Sequence, residues 1–267
     1  ENKFCFSAKT GEDVYLFTLR NSNGTEVLIT NYGAIITCFK IKIDDGNYND
    51  IVLGFDTPEE YMTENYLNQY AYLGAAIGRY ANRIKNSSFS IDNKKIAVTP
   101  NTGNNQLHGG KEGFDKKVWD MLSFENNVLQ LKYLSQNGEE GFPGNLETII
   151  RFELKDANEL SYEFTATTDK PTAVNLTHHS YFNLNNGAGS IDDTELKIYS
   201  SAILAKDEED VCTGELISVE NTQFDFREFH TINERWKKEE GYDHCFVIDN
   251  KSDSLQLVAE AKQKNID

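Results

Sequence analysis

Basic residues are scarce in this chain of 267 residues. Lysine and arginine number 26 against 43 aspartates and glutamates, a net charge of −17. That excess repels nucleic acid and anionic membranes, and no basic patch offsets it. It also disfavours a phosphorylated substrate unless local arginines gather. No run of 18 apolar residues occurs, so no spanning helix is expected. Cys5, Cys38, Cys212 and Cys245 are far apart and form no CxxC pair. They read as free thiols of a reducing compartment, and a cytoplasmic location is expected. A GxSxG elbow, a P-loop and a dinucleotide fingerprint are all missing, which removes the usual serine-hydrolase and nucleotide signatures. Neither HxxxH nor CxxC is present, so neither a metal nor another cofactor is expected.

What the chain does have is strand pattern. Val14–Arg20 and Thr25–Thr30 flank a turn at Asn21–Gly24, and Ile35–Ile43 precedes another at Asp44–Asn47. Asp50–Phe55 reads as a short apolar strand. Thr57-Pro-Glu-Glu60 reads as a capped start of a short helix. Hairpins are expected at 89–98 and 118–135. In Leu146–Leu154, Leu146, Thr148, Ile150, Phe152 and Leu154 share one face. In the next segment Leu160, Tyr162, Phe164 and Ala166 do the same. Period-2 alternation of this kind marks antiparallel strands with one wet face. Thr194–Ser200, Tyr242–Asp249 and Leu255–Ala261 are later candidates. No strand alternates with a long helix, and no linker, repeat or composition break appears. One all-β domain, a large antiparallel β-sandwich spanning 1–267, is the expected architecture.

Chemistry concentrates in two loops. Asn175–Leu184 carries His178 and His179 side by side, and Asn105–Gly110 carries His108 before two glycines. Imidazole titrates nearest neutrality, so each is a candidate proton donor or acceptor. A histidine beside glycines can equally serve only as a loop hydrogen-bonder. On an extended strand, adjacent side chains point to opposite faces, so one of His178 and His179 is expected to be structural. Arg79 and Arg83 stand out where bases are few. Arginine offers a planar fork of donors to hydroxyls and carboxylates; for Arg79 a structural ion pair is the simpler expectation. Asp243, at the mouth of an apolar strand, suits either sugar hydroxyls or a turn. Glu139 and Glu140 read as solvated turn acids. Trp119, Tyr181 and Phe182 lie near the histidines in sequence and could form an apolar wall for a sugar ring.

Together these segments resemble the galactose mutarotase, or aldose 1-epimerase, family. The likeness runs through Asn31–Ala34, Asp50–Phe55, Gly78–Ile84, Asn105–Gly110, Trp119-Asp120, Gly141–Leu146, Val174–Leu184, Thr213–Glu215 and Tyr242–His244. It implies a galactose mutarotase-like supersandwich that binds a monosaccharide, galactose or glucose, in a groove on one sheet. It implies no nucleic-acid or membrane partner, and the chain is expected to act as a monomer or homodimer.

Residue by residue, the resemblance makes His179 the proton donor to the ring oxygen and His108 the second active-site histidine. Asn82 and Arg83 match a pair that contacts sugar hydroxyls, and Asp243 matches a carboxylate on the far side of the ring. Position 178 often holds asparagine in the family, so His178 is a departure. The family's base is a glutamate well beyond the Tyr-Asp-His segment. No match occurs up to Asp267, Glu260 being too early. The expectation is therefore that this sequence lacks a C-terminal portion carrying the base. Alternatives are a hexose-6-phosphate 1-epimerase, which would need a basic cluster at the groove, and a non-catalytic sugar-binding domain.

Overall fold

The computed structural model describes residues 1–44, 46–237, 241–249, 252 and 254–263. Its contacts form two compact units, Glu1–Asn186 and Gly187–Asp267. Among the described residues strands dominate the regular structure, and every paired strand is antiparallel to its neighbour. Among the described residues no helix is long and apolar enough to cross a membrane.

The first unit contains two main sheets. Asn2–Ser7, Asp13–Arg20, Glu26–Thr30, Ile35–Asp44 and Asn47–Asp50 form a five-stranded meander. Asp120–Glu125, Val128–Ser135, Leu146–Leu154 and Leu160–Thr168 form a four-stranded one. The core lies between them. Phe17, Leu19, Val27 and Ile29 from the first sheet meet Leu129, Leu131, Ile150 and Phe152 from the second, all fully buried. Each such side chain contributes about 1.5–3 kcal/mol by leaving water.

Sequence alternation explains the pattern in Leu146–Leu154. Leu146, Thr148, Ile150, Phe152 and Leu154 are buried, while the residues between them are half-exposed. Leu160–Thr168 pairs in register beside it but lies at the sheet edge. Its expected inward face is therefore only partly covered, and Tyr162 is 46% exposed.

Asp50–Phe55 departs from expectation. The strand ends at Asp50, and the following residues run extended without a full ladder, bridging only at Val52 with Phe182. The capped segment forms a 3-10 turn at Pro58–Met62, where Glu60 Oε2 accepts from Thr57 N at 3.2 Å and Thr57 Oγ1 at 3.0 Å. A short helix, Glu64–Asn68, follows. The Asp44–Asn47 turn includes Asp45, outside the described residues.

The second unit holds two three-stranded sheets. Glu195–Ile198 pairs with His230–Thr231 and Ala259–Lys262. Ser200–Lys206 pairs with Cys212–Ser218 and Phe246–Ile248. Ile203, Val219 and Phe224 form its core, with Tyr242 and Phe246 packed against them. No disulfide joins Cys5, Cys38, Cys212 or Cys245.

Candidate active site

Two short strand pairs of the first unit build the site. In the first, Ala76–Ile77 pairs with Thr177–His178. The pairing continues past the strands: His179 N donates to Ala75 O at 2.9 Å and Gly74 N to His179 O at 3.0 Å. On the other side of the segment, Leu53 N donates to Tyr181 O at 2.9 Å and Asn183 N to Ile51 O at 3.0 Å. Gly74 has φ +62°, and a β-carbon there would strike the Ile36 carbonyl, so only glycine lets the chain approach this closely.

On this clamped, extended segment the two adjacent histidines separate as the alternation predicts. His178 turns inward against Phe152 and Tyr162. Its Nε2 lies 3.2 Å from Ala34 O and its Nδ1 3.1 Å from Ser180 Oγ. A carbonyl can only accept, so Nε2 carries the proton and Nδ1 accepts from the serine. Burial pushes the His178 pKa down to about 4. His178 is structural, as expected for one of the pair.

His179 faces the other way, against Tyr181, Tyr72 and His108. The His108 and His179 ring centroids are 5.2 Å apart and the planes cross at 83°. Both residues are partly exposed, and Tyr181 beside them is 38% exposed. Two imidazoles from positions far apart in the chain thus meet at an accessible surface.

The second pair, Arg83–Ile84 with Gln106–Leu107, delivers His108. Asn101 braces this loop: its Nδ2 donates to Leu107 O and Gly110 O, both at 2.9 Å, and its Oδ1 accepts from Leu107 N at 2.6 Å. His108 sits at φ +52° and Asn82 at φ +66°. The two residues bond reciprocally. His108 N donates to Asn82 O at 3.1 Å, and Asn82 N donates to His108 Nδ1 at 3.0 Å. A backbone N–H can only donate, so Nδ1 is bare and Nε2 carries the proton. Burial, then the charge of His179 and Arg83, pushes the His108 pKa down to about 3. His108 is therefore a neutral hydrogen-bond donor through Nε2 at physiological pH.

Asn82 and Arg83 are brought beside His108 by the strand register, with Asn82 Oδ1 accepting from Arg83 N at 2.7 Å. Asp243 belongs to the second unit, where its side chain is 90% exposed and 3.9 Å from Lys206 Nζ. Glu260, also in that unit, accepts from Tyr199 OH at 2.7 Å.

Three expectations need correction. Trp119 forms no sugar wall: it is fully buried, packs on Phe114 and Tyr133, and donates from Nε1 to Phe114 O at 3.2 Å. Glu139 is not a solvated turn acid, because it accepts from Tyr133 OH and Ser135 Oγ, both at 2.6 Å. Nor is Glu140, whose Oε1 accepts from Glu112 N at 2.9 Å.

Arg79 is structural, but its partners are not acids. It is 2% exposed and donates to Ser135 Oγ and to the carbonyls of Ser135, Gln136 and Pro143. Three of these four bonds go to main-chain carbonyls and the group is buried, so it cannot join Arg83 in a phosphate cluster. Among the described residues, no three His, Cys, Asp or Glu side chains gather to hold a metal.

Sequence reasoning did not find Tyr72, whose ring lies 4.7 Å from that of His108 and 5.8 Å from that of His179. No motif marks it, since an aromatic in an aromatic-rich chain reads as core.

Comparisons with known proteins extend over most of the chain. The sequence profile described as Aldose 1-epimerase matches residues 15–267. The Escherichia coli K12 protein named aldose 1-epimerase is 38% identical over 258 residues, covering 94% of this chain and 73% of that protein. Bovine galactose mutarotase is 39% identical over 230 residues, covering 85% of this chain and 65% of its own length. Among solved structures, the galactose 1-epimerase of Lactobacillus acidophilus NCFM superposes with a TM-score of 0.85 at 28% identity, over 98% of this chain and 77% of that one. The GalM/aldose epimerase homologue from C. elegans superposes at 0.84 and 29% identity, over 94% of this chain and 75% of that one.

Proposed function

Because the chain belongs to the aldose 1-epimerase family, we propose that the paired imidazoles of its first unit catalyse interconversion of the α and β anomers of aldohexoses such as galactose and glucose. The reaction is an isomerisation. A proton leaves the anomeric hydroxyl, another reaches the ring oxygen, and the C1–ring-oxygen bond breaks to give the open aldehyde. Rotation about C1–C2 and closure on the opposite face return both protons, so no net proton is consumed.

His179 is the acid that protonates the ring oxygen. His108, locked as an Nε2–H donor, holds a hydrogen bond to that same oxygen and orients the sugar. The acid and the base of such a reaction each contribute on the order of 10²–10⁴-fold. Arg83 and Asn82 bind ring hydroxyls beside His108, and the family likeness gives Asp243 the role of a further hydroxyl-binding carboxylate. The anomeric proton goes to a carboxylate, the role that the family likeness gives to a glutamate after the Tyr242–His244 segment. Residues 1–267 belong to one epimerase domain that works on free sugars in the cytoplasm, where its thiols stay reduced.

The observation that carries this reading is the 5.2 Å edge-to-face approach of His108 and His179 at an accessible surface. Polarimetry tests it. Fresh α-D-galactose should reach its equilibrium rotation faster with the protein than in buffer alone. The buffer rate, unchanged at micromolar protein, contradicts the proposal.

A further inference from the structure

We propose that Tyr72 is a positioning residue: its ring, and not its hydroxyl, wedges His108 and His179 into their crossed arrangement. The inference rests on the acid and orienting roles just given to those two histidines.

Three rings form a closed triangle. Tyr72 lies 4.7 Å from His108 at 72°, 5.8 Å from His179 at 38°, and the imidazoles are 5.2 Å apart at 83°. Removing the tyrosine ring removes two of the three sides. His108 would keep its Nδ1 bond to Asn82 but lose a packing face, and the His179 ring would lose one of the faces that set its terminal torsion, which is intrinsically broad in histidine.

The wedge is itself backed from behind. Tyr70 packs on Tyr72 at 4.5 Å, and Lys116 Nζ lies 4.2 Å from the Tyr70 ring and 5.7 Å from the Tyr72 ring. The buried Asp115 carboxylate anchors this layer, accepting from Tyr70 OH at 2.6 Å and Lys116 Nζ at 2.9 Å. A cation over an aromatic face and a buried acceptor fix the stack from below.

The backbone at Tyr72 is also committed. It adopts φ +56°, a conformation a bulky side chain rarely takes, and Ala75 N donates to Tyr72 O at 3.2 Å. That turn leads directly into Gly74 and Ala75, which hold the His179 main chain. The left-handed residue thus aims its ring at the two imidazoles from the same turn that pins one of them.

The test uses three variants. Tyr72→Phe keeps the ring. Tyr72→Asn tolerates the left-handed backbone but has no ring, and Tyr72→Leu fills volume without a flat face. Tyr72→Phe should retain most of kcat. Tyr72→Asn and Tyr72→Leu should each lose about 10²-fold in kcat with a much smaller change in KM, the scale of an ångström-level misplacement. In the two ringless variants water reaches His108, and its NMR-measured pKa should rise, whereas in Tyr72→Phe it should stay low.

A loss in Tyr72→Phe equal to that in Tyr72→Asn would overturn the wedge, since the hydroxyl would then be the active part. Normal kcat in whichever ringless variant folds would overturn it too. If His179→Ala and His108→Ala keep normal kcat, the underlying reading of the histidines fails. If they are inactive while Tyr72→Leu or Tyr72→Asn is normal, only the wedge fails.

Discussion

Asn82 and His108 hold each other through two hydrogen bonds: the histidine N–H to the asparagine carbonyl at 3.1 Å, and the asparagine N–H to the imidazole Nδ1 at 3.0 Å. Both residues lie in the left-handed region. The second bond decides the tautomer, and the tautomer decides what His108 can do. A ring that presents Nε2–H and resists protonation can orient and polarise a sugar oxygen, but it carries no proton charge to give away.

This relationship predicts a spectrum. In ¹⁵N-correlated NMR between pH 5 and 8, the His108 imidazole should be neutral, with Nδ1 bare and Nε2 protonated. Its pKa is about 3, held there by burial and by the neighbouring His179 and Arg83. Any acid limb in kcat above pH 5 therefore belongs to another group. Titration of His108 near pH 6.5 would contradict the assignment.

His178 predicts a stability profile. Its folded pKa is about 4, lowered mainly by burial, against about 6.5 in the unfolded chain. In that window the unfolded state binds more protons than the folded one. Stability is therefore fully present above pH 6.5 and is lost as pH falls toward 4. Allowing for the residue's partial exposure, the loss attributable to His178 is on the order of 2 kcal/mol. Urea titrations of His178→Asn should show a shallower fall over this window with activity largely kept. An unchanged slope would show that His178 does not carry it.

Gly109 predicts a severe backbone effect. It has φ +88°, and a β-carbon there would run into the Gly78 carbonyl. Main chain cannot yield as a side-chain end can. Gly109→Ala should cost about 2–4 kcal/mol in urea denaturation and displace His108, lowering kcat in the folded fraction. A cost within 0.5 kcal/mol, the ordinary surface range, would mean that the close approach is not maintained in solution.

Much of the fold is legible in the sequence where one physical cause dominates. Leu146–Leu154 alternates because a single sheet face is buried there, and its burial follows residue by residue. The separation of His178 from His179 is legible for the same reason. Prediction weakens where tertiary contacts decide. Asp50–Phe55 is apolar enough for a strand, yet its partners are single residues around Tyr181 and Phe182 rather than a ladder. Ser200–Lys206 escapes notice because its apolar residues, 202–205, form one run without alternation, and Cys212–Ser218 because Thr213, Gly214 and Glu215 break its apolar pattern.

The site shows the same division. His108 and His179 stand out by residue type and loop chemistry. The reciprocal bonds with Asn82, the wedge of Tyr72 and the burial of Trp119 depend on where the main chain comes together. Spacing does not encode that. Glu139 looked solvated because a turn acid usually is, whereas Tyr133 and Ser135 come from the neighbouring strand to bind it.

Mutarotation kinetics of His179→Ala against wild type, followed by polarimetry from α-D-galactose, bear most directly on the paired-imidazole site. With the ring-oxygen acid removed, kcat should fall by about 10²–10⁴-fold while the His108 imidazole remains neutral by NMR. Near-normal kcat in a folded His179→Ala protein would contradict the account.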